Sequence, residues 1–181
     1  MLELITSTRS FRRFDEKRRI SEEDIDALIN LARLGGSARN CQPWQFLAVT
    51  DPESCRLIFP FLAWAGYLSE WKGPDEGERP SAYIICFLNK NWHKGALKEA
   101  WFDLGTATQN ILLGAMVKKI GGCRIGAFSP HLADIFEIPD HLDLTLLVAL
   151  GHPAEEVVLD NLPAEDDIRY WRDENDVHHV P

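Results

Sequence analysis

What this sequence has little of narrows its chemistry first. Its four cysteines, Cys41, Cys55, Cys86 and Cys123, show no C-x-x-C spacing and no neighbouring histidine. That argues against a zinc site or a disulfide framework. It favours free thiols in a reducing compartment, so a cytoplasmic location is expected. Long apolar runs are missing. The longest uncharged part of the strongest helical pattern, Leu104 to Val117, carries threonine, glutamine and asparagine and is too short and too polar to span a bilayer. The start does not read as a signal peptide either, because Met1 to Ile5 includes Glu3 and leads into a basic cluster. Positive charge is in deficit: 19 Lys and Arg against 28 Asp and Glu leave a net charge of −9, so a general nucleic-acid binder is not expected. No repeat is visible, and no acid/base dyad or activated nucleophile stands out, so no catalytic side chain is nominated.

What is there suits an ordinary globular protein. At 181 residues, 45% hydrophobic and 26% charged, residues 1–181 fit a single domain, or half of an intertwined dimer. The charge is uneven. Residues 155–181 hold nine acids against Arg169 and Arg172 and form an acidic C-terminal extension, whereas Arg9 to Arg19 holds six cations. Within the basic stretch, Arg9, Ser10 and Arg12 lie close enough to face one ligand while Phe11 and Phe14 pack inward. Arginine suits a phosphate or a polarised carbonyl, because its planar fork gives paired charge-assisted bonds. A solvated basic strip facing the acidic tail is the alternative.

Along the chain, Ser21 with Asp24 three residues on predicts a helix start, and Ile25, Leu28, Ile29 and Ala32 make its apolar stripe. Gly35 and Gly36 are expected to end it in a left-handed conformation. Then comes Gly-Ser-Ala-Arg-Asn-Cys-Gln-Pro-Trp, residues 36–44, a short connection crowded with hydrogen-bonding groups. Pro43 biases Gln42 toward an extended backbone, and Trp44 anchors the loop by burial. Such a loop carries a site or is an ordinary helix-to-strand turn. A strand is predicted at Phe46 to Val49, a helix from Asp51-Pro52-Glu53 to about Phe61, and a loose segment over 66–80 that reads as a lid or a plain surface loop. Tyr83 to Leu88 and Leu144 to Leu150 read as buried strands. Glu99 to about Lys119 is the dominant helix, apolar on most sides and so buried at the domain centre or against a second subunit. Gln109 and Asn110 in its middle need partners. Residues 120–128, Ile-Gly-Gly-Cys-Arg-Ile-Gly-Ala-Phe, read as a glycine turn where backbone N–H groups approach a flat ligand. A short helix follows from Ser129-Pro130. The fold class is α+β.

Five pieces in order now carry a resemblance: Arg9-Ser10-x-Arg12, Ser37-x-x-Asn40-x-Gln42-Pro43-Trp44, Asp103-x-Gly105-x-x-x-Gln109-Asn110, the 121–128 turn, and Gly151-His152-Pro153-Ala154-Glu155. Together they resemble the nitroreductase family of flavin enzymes over nearly the whole chain. The resemblance implies a mixed central sheet flanked by helices, an intertwined homodimer built on the 99–119 helix, and two FMN sites at the subunit interface. It implies that Arg9, Ser10 and Arg12 of one subunit meet the FMN phosphate and pyrimidine edge, and that Ser37, Ala38, Arg39, Asn40 and Gln42 reach the same flavin from the other. Cys123, Arg124, Ile125, Gly126 and Ala127 would lie beside the ring, with a backbone donor at N5. NADH or NADPH then supplies hydride, and a small-molecule oxidant such as a nitroaromatic or quinone removes it in a ping-pong cycle.

Departures from the family pattern are visible. Thr8 and Arg9 stand where two basic residues often precede the serine, and Arg124 stands where Trp or Pro is common. Relatives often continue to a Lys or Arg that clasps the phosphate, so either the sequence is cut at Pro181 or the N-terminal cluster holds the phosphate alone. Residues 171–179 resemble the end of a short-chain subgroup. The same scaffold also supports dehalogenation, enone reduction or flavin fragmentation, or a flavin sensor or store without turnover. A metal module on His178-His179 is the most distant alternative.

Overall fold

The computed structural model describes residues 1–66, 68, 70–157, 171–172 and 178–179. Most of the acidic extension therefore lies outside the described residues. The chain begins with a short helix, α1 (Leu2–Ser7), and an extended arm, before α2 (Glu22–Arg33). Ser21 caps α2 as its spacing predicts: its backbone is extended and its hydroxyl accepts from the Asp24 N–H at 3.1 Å. Ile25, Leu28 and Ala32 are the buried stripe.

The other end of α2 departs from expectation. Leu34 closes the helix in a right-handed conformation, and neither Gly35 nor Gly36 has positive φ. Glycine serves space here. A Cβ on Gly35 would lie 3.2 Å from the Ala32 carbonyl oxygen and 3.4 Å from Asn110 Nδ2, where the chain passes the long helix.

Strand β1 (Trp44–Val49) starts two residues earlier than its apolar run suggests, and α3 (Pro52–Ile58) follows, with the Asp51 carboxylate accepting from the Ser54 N–H at 2.8 Å. Then come β2 (Ala82–Asn89), α4 (Leu97–Val117), β3 (Gly121–Ile125), a short 3-10 turn and β4 (Leu142–Gly151). Two residue pairs join β5 (Trp171–Arg172) to β6 (His178–His179). The main sheet runs β1-β2-β4-β3, antiparallel throughout. A parallel contact is added by the isolated bridge from Ser10 to Gly122.

Both faces of the sheet are covered, which is why β2 is buried at every position and reads as an unbroken apolar run. On one face Ala82, Ile84, Cys86, Val148 and Leu150 pack against Leu28, Ile111 and Ala115 of α2 and α4. On the other, Tyr83, Ile85, Leu147, Ala149 and Cys123 pack against Ile58, Leu62, Trp64 and Leu132. Helices segregated around an antiparallel sheet make the class α+β.

Helix α4 is buried on one side only. Leu104, Ala107, Ile111, Leu112 and Ala115 face the core, while Trp101 and Phe102 are 59% and 72% exposed. Its polar residues do find partners: Arg124 Nη2 donates to Gln109 Oε1 at 2.6 Å, and Asn110 Nδ2 donates to the Leu31 carbonyl at 3.2 Å.

Residues 121–125 are not a turn, as the glycines suggest, but an edge strand. A Cβ on Gly122 would come within 2.6 Å of the Ala149 carbonyl oxygen, so glycine is what lets β3 lie flat on β4.

Candidate functional site

The predicted site residues fall into two groups at opposite margins of the sheet. The first gathers at β3. The arm 10–15 is sewn to that margin by its backbone: Phe11 N–H donates to the Gly122 carbonyl at 3.1 Å, Phe14 bridges Pro153, and Asp15 N–H donates to the His152 carbonyl at 2.8 Å. Phe11 and Phe14 are buried, as expected, so the alternate side chains turn outward. The Glu155 carboxylate closes this arrangement by accepting from the Arg12 N–H and, at 3.1 Å, from the Arg13 N–H. The motifs at 9–12, 121–127 and 151–155 are thus one local structure.

Its side chains are held individually. Arg9 Nη2 donates to the Ile5 carbonyl at 2.6 Å, whereas its Nε is buried and lacks a hydrogen-bond partner. Arg12 Nη1 donates to the Ser10 carbonyl at 3.2 Å. Arg13 pairs with Glu78 at 3.1 Å and lies over the Trp71 ring at 5.2 Å. His152 Nδ1 meets the Lys119 carbonyl at 3.2 Å, and burial, with help from Arg18, lowers its pKa.

Along β3 the residues alternate. Cys123 points into the core face away from α4, and burial pushes its thiol up to about 12, so it is no nucleophile at neutral pH. Arg124 points the other way, its Nε donating to Thr108 Oγ1 at 2.8 Å, with partial burial lowering its pKa. Although exposed, it does not stand alone: its bonds to Thr108 and Gln109 hold it against α4. Ile125 is buried, and Gly126 and Ala127 are exposed at the end of the strand.

The second group is the connection from α2 to β1. Ser37 to Gln42 is pinned to the first turns of α4. Asp103 accepts from Ser37 Oγ at 2.9 Å and from the Ala38 N–H at 2.9 and 3.1 Å, and Ser37 Oγ in turn accepts from the Gln42 N–H at 3.0 Å. Trp44 Nε1 donates to the Ala100 carbonyl at 3.0 Å, the partner its burial requires. Arg39 pairs with Glu99, an ion pair that raises the arginine pKa and lowers that of the carboxylate. Gly95, at φ 106°, leaves room for that pair, because a Cβ there would overlap the Arg39 guanidinium.

This loop is not an ordinary turn. Arg39, Asn40 and Gln42 have φ of 54°, 52° and 44°. Left-handed backbone costs a non-glycine residue about 1 kcal/mol or more, and such residues cluster at binding sites. The expected extended Gln42 is therefore wrong. The preference imposed by Pro43 is overruled by the Ser37 and Asp103 bonds. Asp103 belongs to one of the five motifs, but its hold on the loop depends on how α4 is rotated against it, which no spacing reveals.

One group leads into β1 and the other lines β3, strands that stand three intervals, roughly 14 Å, apart in the sheet. Among the described residues no group of three or more His, Cys, Asp or Glu is placed to hold a metal, and no helix is long and apolar enough to cross a membrane.

Comparison with known proteins fits this geometry. The sequence pattern described as "Nitroreductase family" matches residues 5–152. A protein of Archaeoglobus fulgidus, provisionally named NADH dehydrogenase/NAD(P)H nitroreductase, is 29% identical over 160 residues, covering 86% of each chain. FMN reductase (NADPH) of Bacillus subtilis is 26% identical over 167 residues, 84% of this chain and 66% of that protein. Among solved structures, a provisionally named nitroreductase of Desulfovibrio desulfuricans in complex with FMN superposes with a TM-score of 0.73 at 23% identity, covering 91% and 92% of the two chains. With the matched pattern spanning most of its length, and the α+β architecture shared with these structures, the chain belongs to the nitroreductase family of oxidoreductases.

Proposed function

We propose that the protein is an FMN-dependent oxidoreductase that takes hydride from NADH or NADPH and reduces nitroaromatic, quinone or related electron-poor compounds by a ping-pong mechanism, as a cytoplasmic homodimer. The observation that carries this reading is the division of the site. A basic arm on a glycine-containing strand and a left-handed polar loop are each fully built, yet they stand at opposite margins of one sheet. Two copies meeting along the exposed side of α4, which presents Trp101 and Phe102, would bring one arm and one loop to a common ligand.

The residues fit FMN. Arg9 offers a buried, unpartnered Nε–H beside Ser10, suited to a phosphate oxygen. Arg12, its guanidinium steadied by the Ser10 carbonyl, is assigned to the pyrimidine edge, where a fixed positive charge favours the reduced ring. The strand end Ile125, Gly126 and Ala127 supplies backbone to the ring, with Cys123 and Arg124 before it. Ser37, Ala38, Arg39, Asn40 and Gln42 of the second copy complete the enclosure. When bound, FMN supplies the hydride chemistry. The FMN complex of the Desulfovibrio protein and the name of the Bacillus relative support this assignment.

The test is spectroscopic. Protein purified and reconstituted with FMN should show an oxidised flavin spectrum, bleach under nitrogen on addition of NADH or NADPH, and recover its colour with a nitroaromatic or quinone. A preparation that takes up no FMN overturns the proposal. A flavin that neither nucleotide reduces leaves a binding protein in place of an enzyme.

A further inference from the structure

The left-handed loop poses a problem that its own sequence does not solve. Arg39, Asn40 and Gln42 hold φ between 44° and 54° without a glycine among them. Something must offset the cost of that backbone. The Arg39–Glu99 pair is exposed and contributes little. Within the loop, Asn40 N–H donates to the Ser37 carbonyl at 2.9 Å, Cys41 N–H to the Ala38 carbonyl at 3.2 Å and Gln42 Nε2 to Asn40 Oδ1 at 3.2 Å. These bonds do not tie the loop to the rest of the fold, and its link to α4 beyond the Arg39–Glu99 pair is one side chain. Asp103 takes the Ser37 hydroxyl and the Ala38 N–H, and the Ser37 oxygen passes the constraint on to the Gln42 N–H. Three residues of the loop, Ser37, Ala38 and Gln42, are thus oriented through a single carboxylate on α4, a helix whose buried stripe is packed into the core.

We infer that Asp103 is a positioning residue: through Ser37 and Ala38 it presets the 38–42 loop in its left-handed form, so that the loop meets the flavin without having to be ordered on binding. The inference rests on the FMN reading above. Among the described residues, the hydrogen bonds of the Asp103 carboxylate go to Ser37 and Ala38. Removing it frees the loop to relax to right-handed or extended backbone, and binding must then restore the native form at the expense of affinity.

The experiment compares wild-type protein with Asp103→Ala, Asp103→Asn and Ser37→Ala, each reconstituted with FMN. Measured are the FMN dissociation constant, the visible flavin spectrum, the midpoint potential and the melting temperature of the flavin-free protein. Asp103→Ala should weaken FMN binding roughly tenfold to hundredfold and shift the flavin bands. Asp103→Asn, which keeps one oxygen for the Ala38 N–H, should recover part of the affinity. Ser37→Ala, which breaks the relay to Gln42 while leaving the carboxylate in place, should show a smaller loss in the same direction. If Asp103→Ala does not fold, Asp103→Asn decides the matter, because it leaves every loop residue in place. A lowered melting temperature with wild-type affinity, spectrum and potential would reduce Asp103 to a merely structural residue and overturn the inference. Wild-type protein that binds no FMN defeats the functional reading itself, an outcome distinct from any difference between variants.

Discussion

Arg12 and His152 show how the same margin of the sheet holds one side chain for use and another for support. Arg12 is fixed at both ends, its N–H on Glu155 and its guanidinium on the Ser10 carbonyl, so its charge is placed before any ligand arrives. Replacing it with alanine should raise the FMN dissociation constant about tenfold. It should also lower the flavin midpoint potential by roughly 30 mV, read by dye-coupled titration. An unchanged potential would remove Arg12 from the ring. His152 is a structural residue whose imidazole is kept neutral by burial, below its ordinary 6.5. A histidine with a depressed folded pKa contributes stability that is present above 6.5 and is lost as pH falls through the lower folded value. The melting temperature should therefore decline as the pH drops below 6.5, and His152→Gln should flatten that part of the curve.

Strand β3 is the element whose nature was hardest to read. Two adjacent glycines followed by cysteine and arginine have low strand propensity and look like a turn. The glycines are needed because β4 and the arm approach too closely for any side chain. Gly122→Ala should destabilise the protein by about 1–3 kcal/mol in urea unfolding, and it should loosen FMN as the arm is pushed off the strand. By contrast β2, β4, α2 and α4 were readable, because their apolar runs and the Ser21 cap are local signals of burial. The site was readable as a set of residues and not as a place. Nothing local says that β1 and β3 are the outer strands, that Gln42 is left-handed, or that Asp103 faces Ser37, since each follows from how distant elements pack.

For the whole molecule, the decisive surface is the outer side of α4. Trp101 and Phe102 are large, apolar and exposed, in a helix whose inner side already satisfies the core. Under the dimer proposal Phe102 is an anchor of the interface. Phe102→Glu should raise the dimer dissociation constant by about thirtyfold or more in analytical ultracentrifugation. FMN retention should fall with it, because each site draws on both copies. A variant that stays dimeric and yellow would place the contact elsewhere.

The fastening of the arm to Glu155 joins backbone amides to a carboxylate 143 positions further along. On a ribosome, residues 10–14 emerge early, yet their bonds to Gly122 and Glu155 cannot form until β3, β4 and the turn after them have been made. At common elongation rates that is a wait of between roughly 7 and 30 s. An early segment is therefore among the last to settle, its fastening set by residues made long after it.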